Sequence, residues 1–259
     1  PLIRGVIVFL DSMVKGMKAL TYSADLLPED EQEEPGKIDL WIEKHFGEEK
    51  AKDIIIGTAV VLGIALSIVL FILIPTLLAG LTKSFIHSPV VRNLFEGLLR
   101  IIIFLLYLWG VAHMKDVERM FAYHGAEHKT IFCYEKGLPL TVENVRPQSR
   151  FHPRCGTSFL FVVVMISILL FALVSAVLPT SNMLVRLVVR LALLPFVVAI
   201  SYEFNRLVGR HDNWLTRILT APGMWFQNFT TNEPDDSMLE VGIAALKLVL
   251  PDEAGADRW

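Results

Sequence analysis

From Ile54 to Thr82 the chain carries no charged residue. A helix of about 20 apolar residues crosses the hydrocarbon core of a bilayer, because a helix satisfies its own backbone hydrogen bonds where no water is present. This stretch is long enough to cross, and it makes the chain an integral membrane protein. Pro75 near its end predicts a kink, whose freed backbone group other helices can satisfy. Hydrophobic residues form 53% of the 259 residues, enough for further spans. Leu94 to Met114 reads as a second, with Glu96 and Arg100 near its start. Gly156 to Pro179 reads as a third. After a tight turn over Pro179–Asn182, Met183 to Glu203 reads as a fourth, with Arg186 and Arg190 in its first half. The expected fold is all-α: a bundle of about four transmembrane helices with amphipathic interfacial helices at both ends.

The flanks fill in the organisation. Leu2 to Ala24 places Leu2, Ile3, Val6, Ile7, Leu10, Met13, Val14, Met17 and Leu20 on one helical stripe, and Arg4, Asp11, Lys15 and Lys18 elsewhere. Such a helix lies in the membrane interface or packs on the rest of the protein. Asp25 to Glu49 is acidic and carries Pro28 and Pro35, a solvated linker with a short helix around Ile38–Phe46. The run Glu29–Glu34 needs no role beyond solvation. In the tail, Trp214, Trp225 and Phe226 point to the membrane interface. Ser237 and Glu240 read as a capping box that opens a last helix ending near Leu250. The units are then residues 1–53 (amphipathic helix and linker), 54–114 (two spans), 115–156 (a loop), 157–203 (two spans) and 204–259 (an interfacial tail). The chain starts at Pro1 without an initiating Met, which implies further residues upstream.

Lys and Arg favour the cytoplasmic side. The loop after the second span holds Lys115, Arg119, Lys129, Lys136, Arg146, Arg150 and Arg154, whereas Lys83 and Arg92 alone lie between the first and second spans. The long loop is therefore expected inside, with both termini, and the protein in a bacterial inner membrane. The net charge of −3 and the scattered basic residues argue against nucleic acid as a partner.

The same loop carries the chemistry. His124 and His128 are four apart, which on a helix sets both imidazoles on one face, with Glu127 beside them. His-x-x-Glu-His is the inverted zincin order, two ligands and a base. His152 and Cys155 follow beside Pro153 and Gly156, in a turn suited to presenting two donors typical of zinc. Glu203, at the inner end of the fourth span, is a further candidate as ligand, supporting partner or base. A pair with Arg206 is the plainer alternative, as surface histidines and a small buried cysteine are for the rest. His45, His87, His113 and His211 are read without a role, and Cys133 as a core residue of the same helix or as an open question. Two cysteines make no disulfide framework. Glu96, Arg100, Arg186 and Arg190 either snorkel and pair near the outer surface or line a polar pathway for anions.

The run Tyr123 to Thr130 (YHGAEHKT), the run Ser149 to Thr157 (SRFHPRCGT) and Ser201-Tyr202-Glu203 with Arg206 resemble the YqhQ-like family of bacterial membrane proteins, as do Leu2 to Gly5 and Glu233 to Ser237. That family, of unknown function, is described as predicted metal-dependent enzymes, and its members usually carry a soluble segment upstream. The resemblance implies a metal site at His124, His128, His152 and Cys155 with Glu127 at its edge, and names no substrate. The expected function is a metal-dependent hydrolase using zinc or another divalent ion, with Glu127 as the catalytic base. The alternatives are a homo-oligomeric channel or transporter with a structural metal site, and a non-catalytic membrane scaffold. If all four donors bound zinc together, the tetrahedral site would be closed and structural.

Overall fold

The computed structural model describes residues 2–26, 36–153, 155–178, 182–211 and 213–251. The Glu29–Glu34 run with Pro28 and Pro35, Arg154, and all of the Pro179–Asn182 turn except Asn182 lie outside them. The described residues form helices alone, as the hydropathy pattern requires: α1 (Leu2–Asp25), α2 (Lys37–Phe46), α3 (Glu48–Ile68), α4 (Ile74–Leu81), α5 (Pro89–Ala112), α6 (Lys115–Glu135), α7 (Val142–Val145), α8 (Gly156–Val177), α9 (Met183–Gly209), α10 (Trp214–Phe226) and α11 (Asp236–Val249). Four stretches are long and apolar enough to cross a membrane: Ile54–Ser84, Val90–Ala112, Gly156–Val177 and Leu184–Val208. The protein is a membrane helical bundle.

The first span does not simply bend at Pro75. Between α3 and α4 the helix widens into a π turn over Val69–Leu73, with the Ile74 amide reaching back to Val69 O. Pro75 cannot supply the amide that Phe71 O would accept in a regular helix. Arg100 of α5 donates to that oxygen instead, through Nε at 2.8 Å. A neighbouring helix thus satisfies the freed carbonyl, and in doing so it places an arginine inside the bundle.

The segments outside the spans differ from the sequence reading in three places. The segment 115–156 is mostly helix, not loop: α6 continues from α5 and is joined by α7. Its buried residues are the small Ala122, Gly125, Ala126, Thr130 and Cys133 together with the polar His128 and Lys129, a set of low hydropathy. Phe226 is fully buried, stacked on Phe104 with ring centroids 5.4 Å apart, in an aromatic core with Leu108. Of the three aromatics expected at the interface, Trp214 and Trp225 are the exposed ones. The last helix is capped by Asp235, which accepts from the Met238 amide at 2.9 Å and from Ser237 Oγ at 2.6 Å, so Ser237 is not the cap. As one of the two expected placements has it, α1 packs on the rest of the protein, along α9, and still leaves Ile3, Ile7, Leu10, Val14 and Leu20 exposed. Gly5 permits that approach, since a Cβ there would lie 3.0 Å from Ala199 Cα.

Candidate metal centre

Two imidazoles and one thiol converge where α6 meets the start of α8. His124 and His128 stand one turn apart on α6, rings edge to face with centroids 4.3 Å apart. Cys155 is the N-cap residue of α8 and faces them. One donor atom from each of the three lies within 4.8 Å of the others, so the group is suited to hold a metal ion. Cys155 Sγ is 3.3 Å from His124 Nε2. The opposite nitrogens are already engaged. His124 Nδ1 donates to Thr230 O at 2.7 Å and His128 Nδ1 to Arg150 O at 2.5 Å. A carbonyl only accepts, so each Nδ1 carries a proton, and in the neutral ring Nε2 presents its lone pair to the centre. This is the outer support that metal-bound histidines ordinarily have.

The thiol is set up as an anion. Burial pushes Cys155 up, but hydrogen bonds with His124, His128 and Thr157 outweigh it and bring the group down to about 5. The Thr157 amide, in the first turn of α8, reaches Sγ at 3.3 Å, and Thr157 Oγ1 lies 3.0 Å away. The positive end of the helix favours a thiolate at this position. For His124, burial favours the neutral ring, yet the bonds to Cys155 and to Thr230 O raise it above the ordinary value. Thiolate and imidazole are the ligand forms a divalent ion would take.

A strap from the far end of the chain fixes this geometry. Residues 227–234 pass over α6, and the Asn232 amide donates to Phe121 O at 2.8 Å. The crossing is possible because residue 125 is glycine: a Cβ there would lie 2.1 Å from Asn232 O. The glycine between His124 and Glu127 therefore lets the strap come close enough to deliver Thr230 O to His124. Gln227, at the head of the strap, is fully buried and clamps the backbone of His152. Its Oε1 accepts from the His152 amide at 2.8 Å, and its Nε2 donates to His152 O at 2.7 Å and to Ser158 Oγ at 2.9 Å. The turn that carries Cys155 into α8 is thereby held.

The family model described as "Protein of unknown function (DUF1385)" matches residues 1–252. The chain belongs to this family. "Uncharacterized protein YqhQ" of Bacillus subtilis (strain 168) is 34% identical over 257 residues, covering 98% of this chain and 78% of that protein. No solved structure matches.

In this DUF1385 member the other predicted site residues are placed as follows. His152 is buried, but its Nε2 faces Glu135 Oε2 at 3.3 Å and its ring lies against Phe132 and His128. Glu127 is exposed and lines, with the three clustered donors, His152 and Glu135, a cavity of about 230 Å³. Glu203 is engaged elsewhere: both its oxygens accept from Arg4 Nη2, at 2.6 and 2.8 Å, in place of the Arg206 pair weighed from the sequence. Glu96, Arg100 and Arg190 are buried and bonded to one another in the bundle, with Arg186 at their edge. Thr230, Gln227 and the Arg150 carbonyl escaped the sequence reading. Backbone oxygens leave no mark in a sequence, and the signal for Gln227 was only a polar run after an apolar helix.

Proposed function

We propose that this protein is a membrane-embedded, metal-dependent hydrolase whose metal is held at the cytoplasmic face by His124 Nε2, His128 Nε2 and Cys155 Sγ. The observation that carries the reading is the number of converging donors. Three residues meet within 4.8 Å, while the remaining histidine of the motif, His152, bonds to Glu135. Three protein ligands leave a position for water, which is the pattern of catalytic zinc sites. Two imidazoles and a thiolate fit zinc, which when bound would lower the pKa of a coordinated water to about 7. Glu127 lines the same cavity and would take the proton of the attacking water at its carboxylate. The backbone carbonyls of Thr230 and Arg150 hold the two rings so that they need no reorganisation. The basic residues of segment 115–155 support the cytoplasmic assignment.

The test is metal content, by mass spectrometry, of the detergent-purified protein and of Glu127→Gln and Cys155→Ala. The reading expects near-stoichiometric zinc in the parent and in Glu127→Gln, and its loss in Cys155→Ala. With a substrate in hand, Glu127→Gln should lose turnover. Loss of zinc from Glu127→Gln would make Glu127 a ligand and remove it as the base.

One observation favours a second reading. A thiol at about 5, 3.3 Å from an imidazole at a helix N-terminus, is also a nucleophile–base pair. That reading predicts activity resistant to chelators and abolished by thiol alkylation, and a protein that purifies without metal.

A further inference from the structure

The bundle holds a second polar centre, about 24 Å from Cys155 measured along α8 to Phe171 at 1.5 Å per residue. Glu96 accepts from three guanidinium groups: Arg190 through both terminal nitrogens, Arg186 Nη2 at 3.0 Å and Arg100 Nη2 at 3.4 Å. Thr76 Oγ1 lies 2.9 Å from the same carboxylate. Arg100 and Arg190 stand on the ring of Phe171, 5.2 and 5.6 Å from its centroid. Both are about 5% exposed, so neither reaches out to solvent or headgroups. The charges acting on Arg186 are Glu96, of opposite sign, and Arg190 and Arg92, of like sign. Three cations on one anion leave an excess of two positive charges within the membrane-spanning helices, and Arg92 adds to it. The Nε of Arg92 is itself buried with no acceptor among the described residues. An excess of this kind is costly in a low-dielectric interior unless an anion accompanies it.

A cavity adjoins that excess. It measures about 390 Å³ and lies between α8 and α9, with Arg186, Arg190 and Ser175 among its lining and Val189 and Leu193 as apolar wall. This size is within the usual range of about 300–1,000 Å³ for small-molecule sites. Arg186 commits Nη2 to Asn93 and Glu96, while its other two nitrogens have no acceptor among the described residues and are not sealed from the surroundings. Val177 and Leu178, which also line the cavity, are 70% and 64% exposed. In a membrane-spanning bundle, apolar side chains so exposed at the end of α8 face lipid, so the cavity opens to the bilayer. The occupant must therefore be anionic at one end and apolar at the other. A guanidinium fork matches phosphate oxygens in particular.

We propose that the cavity between α8 and α9 binds the phosphate headgroup of an anionic membrane lipid through Arg186, backed by Arg190, with the acyl chains running past Val189 and Leu193 toward the bilayer centre. This site is independent of the metal centre.

The test is native mass spectrometry of the full chain in detergent, with equimolar phosphatidylglycerol and phosphatidylcholine added. One phosphatidylglycerol should remain bound per chain, in at least tenfold preference over the zwitterionic lipid. Arg186→Gln should lower its retention about tenfold, the size expected for one charge-assisted hydrogen bond. Val189→Trp, which fills the wall and leaves every charge in place, should abolish it. Zinc content should be the same in both variants as in the parent, and millimolar inorganic phosphate should leave the lipid bound. Equal retention by parent and Val189→Trp, or equal binding of the two lipids, would overturn the proposal. Displacement by inorganic phosphate would also overturn it, because the site would then be one for free anions. Should Arg186→Gln not fold, Val189→Trp decides the matter alone.

Discussion

Gly125→Ala adds a single methyl group at the point where the strap crosses α6. That methyl carbon would sit 2.1 Å from Asn232 O, against the 3.4 Å of an ordinary contact. The oxygen is backbone and cannot swing away as a side chain would, so the strap must retreat by about 1 Å or more. Two consequences follow from the distances. The bonds from Asn232 to Phe121 O and Glu118 O, at 2.8 and 3.2 Å, are stretched or broken. Two residues earlier, the 2.7 Å bond from His124 Nδ1 to Thr230 O goes with them. Overpacking of this kind costs about 1–3 kcal/mol. Loss of a supporting bond to a ligating histidine costs about 10–100-fold in metal affinity. We therefore expect Gly125→Ala to bind zinc at least tenfold more weakly than the parent, measured by competition with a chromophoric chelator on detergent-purified protein, and to melt at a lower temperature. Gly16→Ala is the control: a Cβ at Gly16 meets nothing within 4 Å, and in a helix the change should stabilise slightly. If Gly125→Ala matched the parent in both zinc affinity and melting temperature, the strap would not be what positions His124, and the support assigned to Thr230 would fall.

Three further outcomes can be checked. Because the Cys155 thiol lies near 5 and not at its ordinary 9.0, iodoacetamide should alkylate it in metal-free protein at a rate that is flat from pH 8 to 6 and falls below pH 5. Zinc should protect it, His124→Ala should shift the profile upward, and buried Cys133, whose thiol burial pushes up, should stay unlabelled throughout. Gln227→Leu leaves the buried His152 amide without its partner and its carbonyl with the Cys155 amide alone, at about 1–3 kcal/mol in all, and a parent-like thermal midpoint would show that the turn holds without its clamp. Glu96→Gln removes the one carboxylate among the described residues bonded to Arg100, Arg186 and Arg190 and should destabilise by about 3–5 kcal/mol, read as denaturant resistance in detergent; an unchanged midpoint would mean that the arginines already have another counterion.

What the sequence made legible follows from the range of each interaction. The spans are local: a run without charge long enough to cross the bilayer has one solution, and all four expected spans have one in the fold. The relation of His124 to His128 is equally local, since helical periodicity alone puts them on one face. Their meeting with Cys155 was legible only as donor chemistry, whereas the packing that holds α6, its small face of Ala126 and Cys133 against Leu239 and Ile243 of α11, lies a hundred residues away in the chain. The orientation of His152 was beyond any local rule. It depends on Gln227, 75 residues away, gripping the His152 backbone and thereby setting which way its ring turns. Phe226 misled for a related reason, because an aromatic residue after an apolar helix looks alike whether it meets headgroups or, as here, the rings of Phe104 and Phe161.

The same range argument explains why the metal centre and the fold are coupled. The donors come from residues 124–128 and from residue 155, and their supports from residues 150, 157 and 230, so no one segment carries the site. In the unfolded chain these groups are far apart, and an ion that binds the folded state alone stabilises it in proportion to its affinity, by about 2.7 kcal/mol at one hundred times the dissociation constant. A metal ion bound at these donors would be tied to the strap through His124 and Thr230. A tenfold loss of zinc affinity from one methyl group at Gly125 corresponds to about 1.4 kcal/mol. That amount adds to the packing cost only when zinc is present. The melting-temperature difference between parent and Gly125→Ala should thus be larger with saturating zinc for the parent than in chelator, and this difference of differences isolates the bond to His124 from the steric cost of the methyl group.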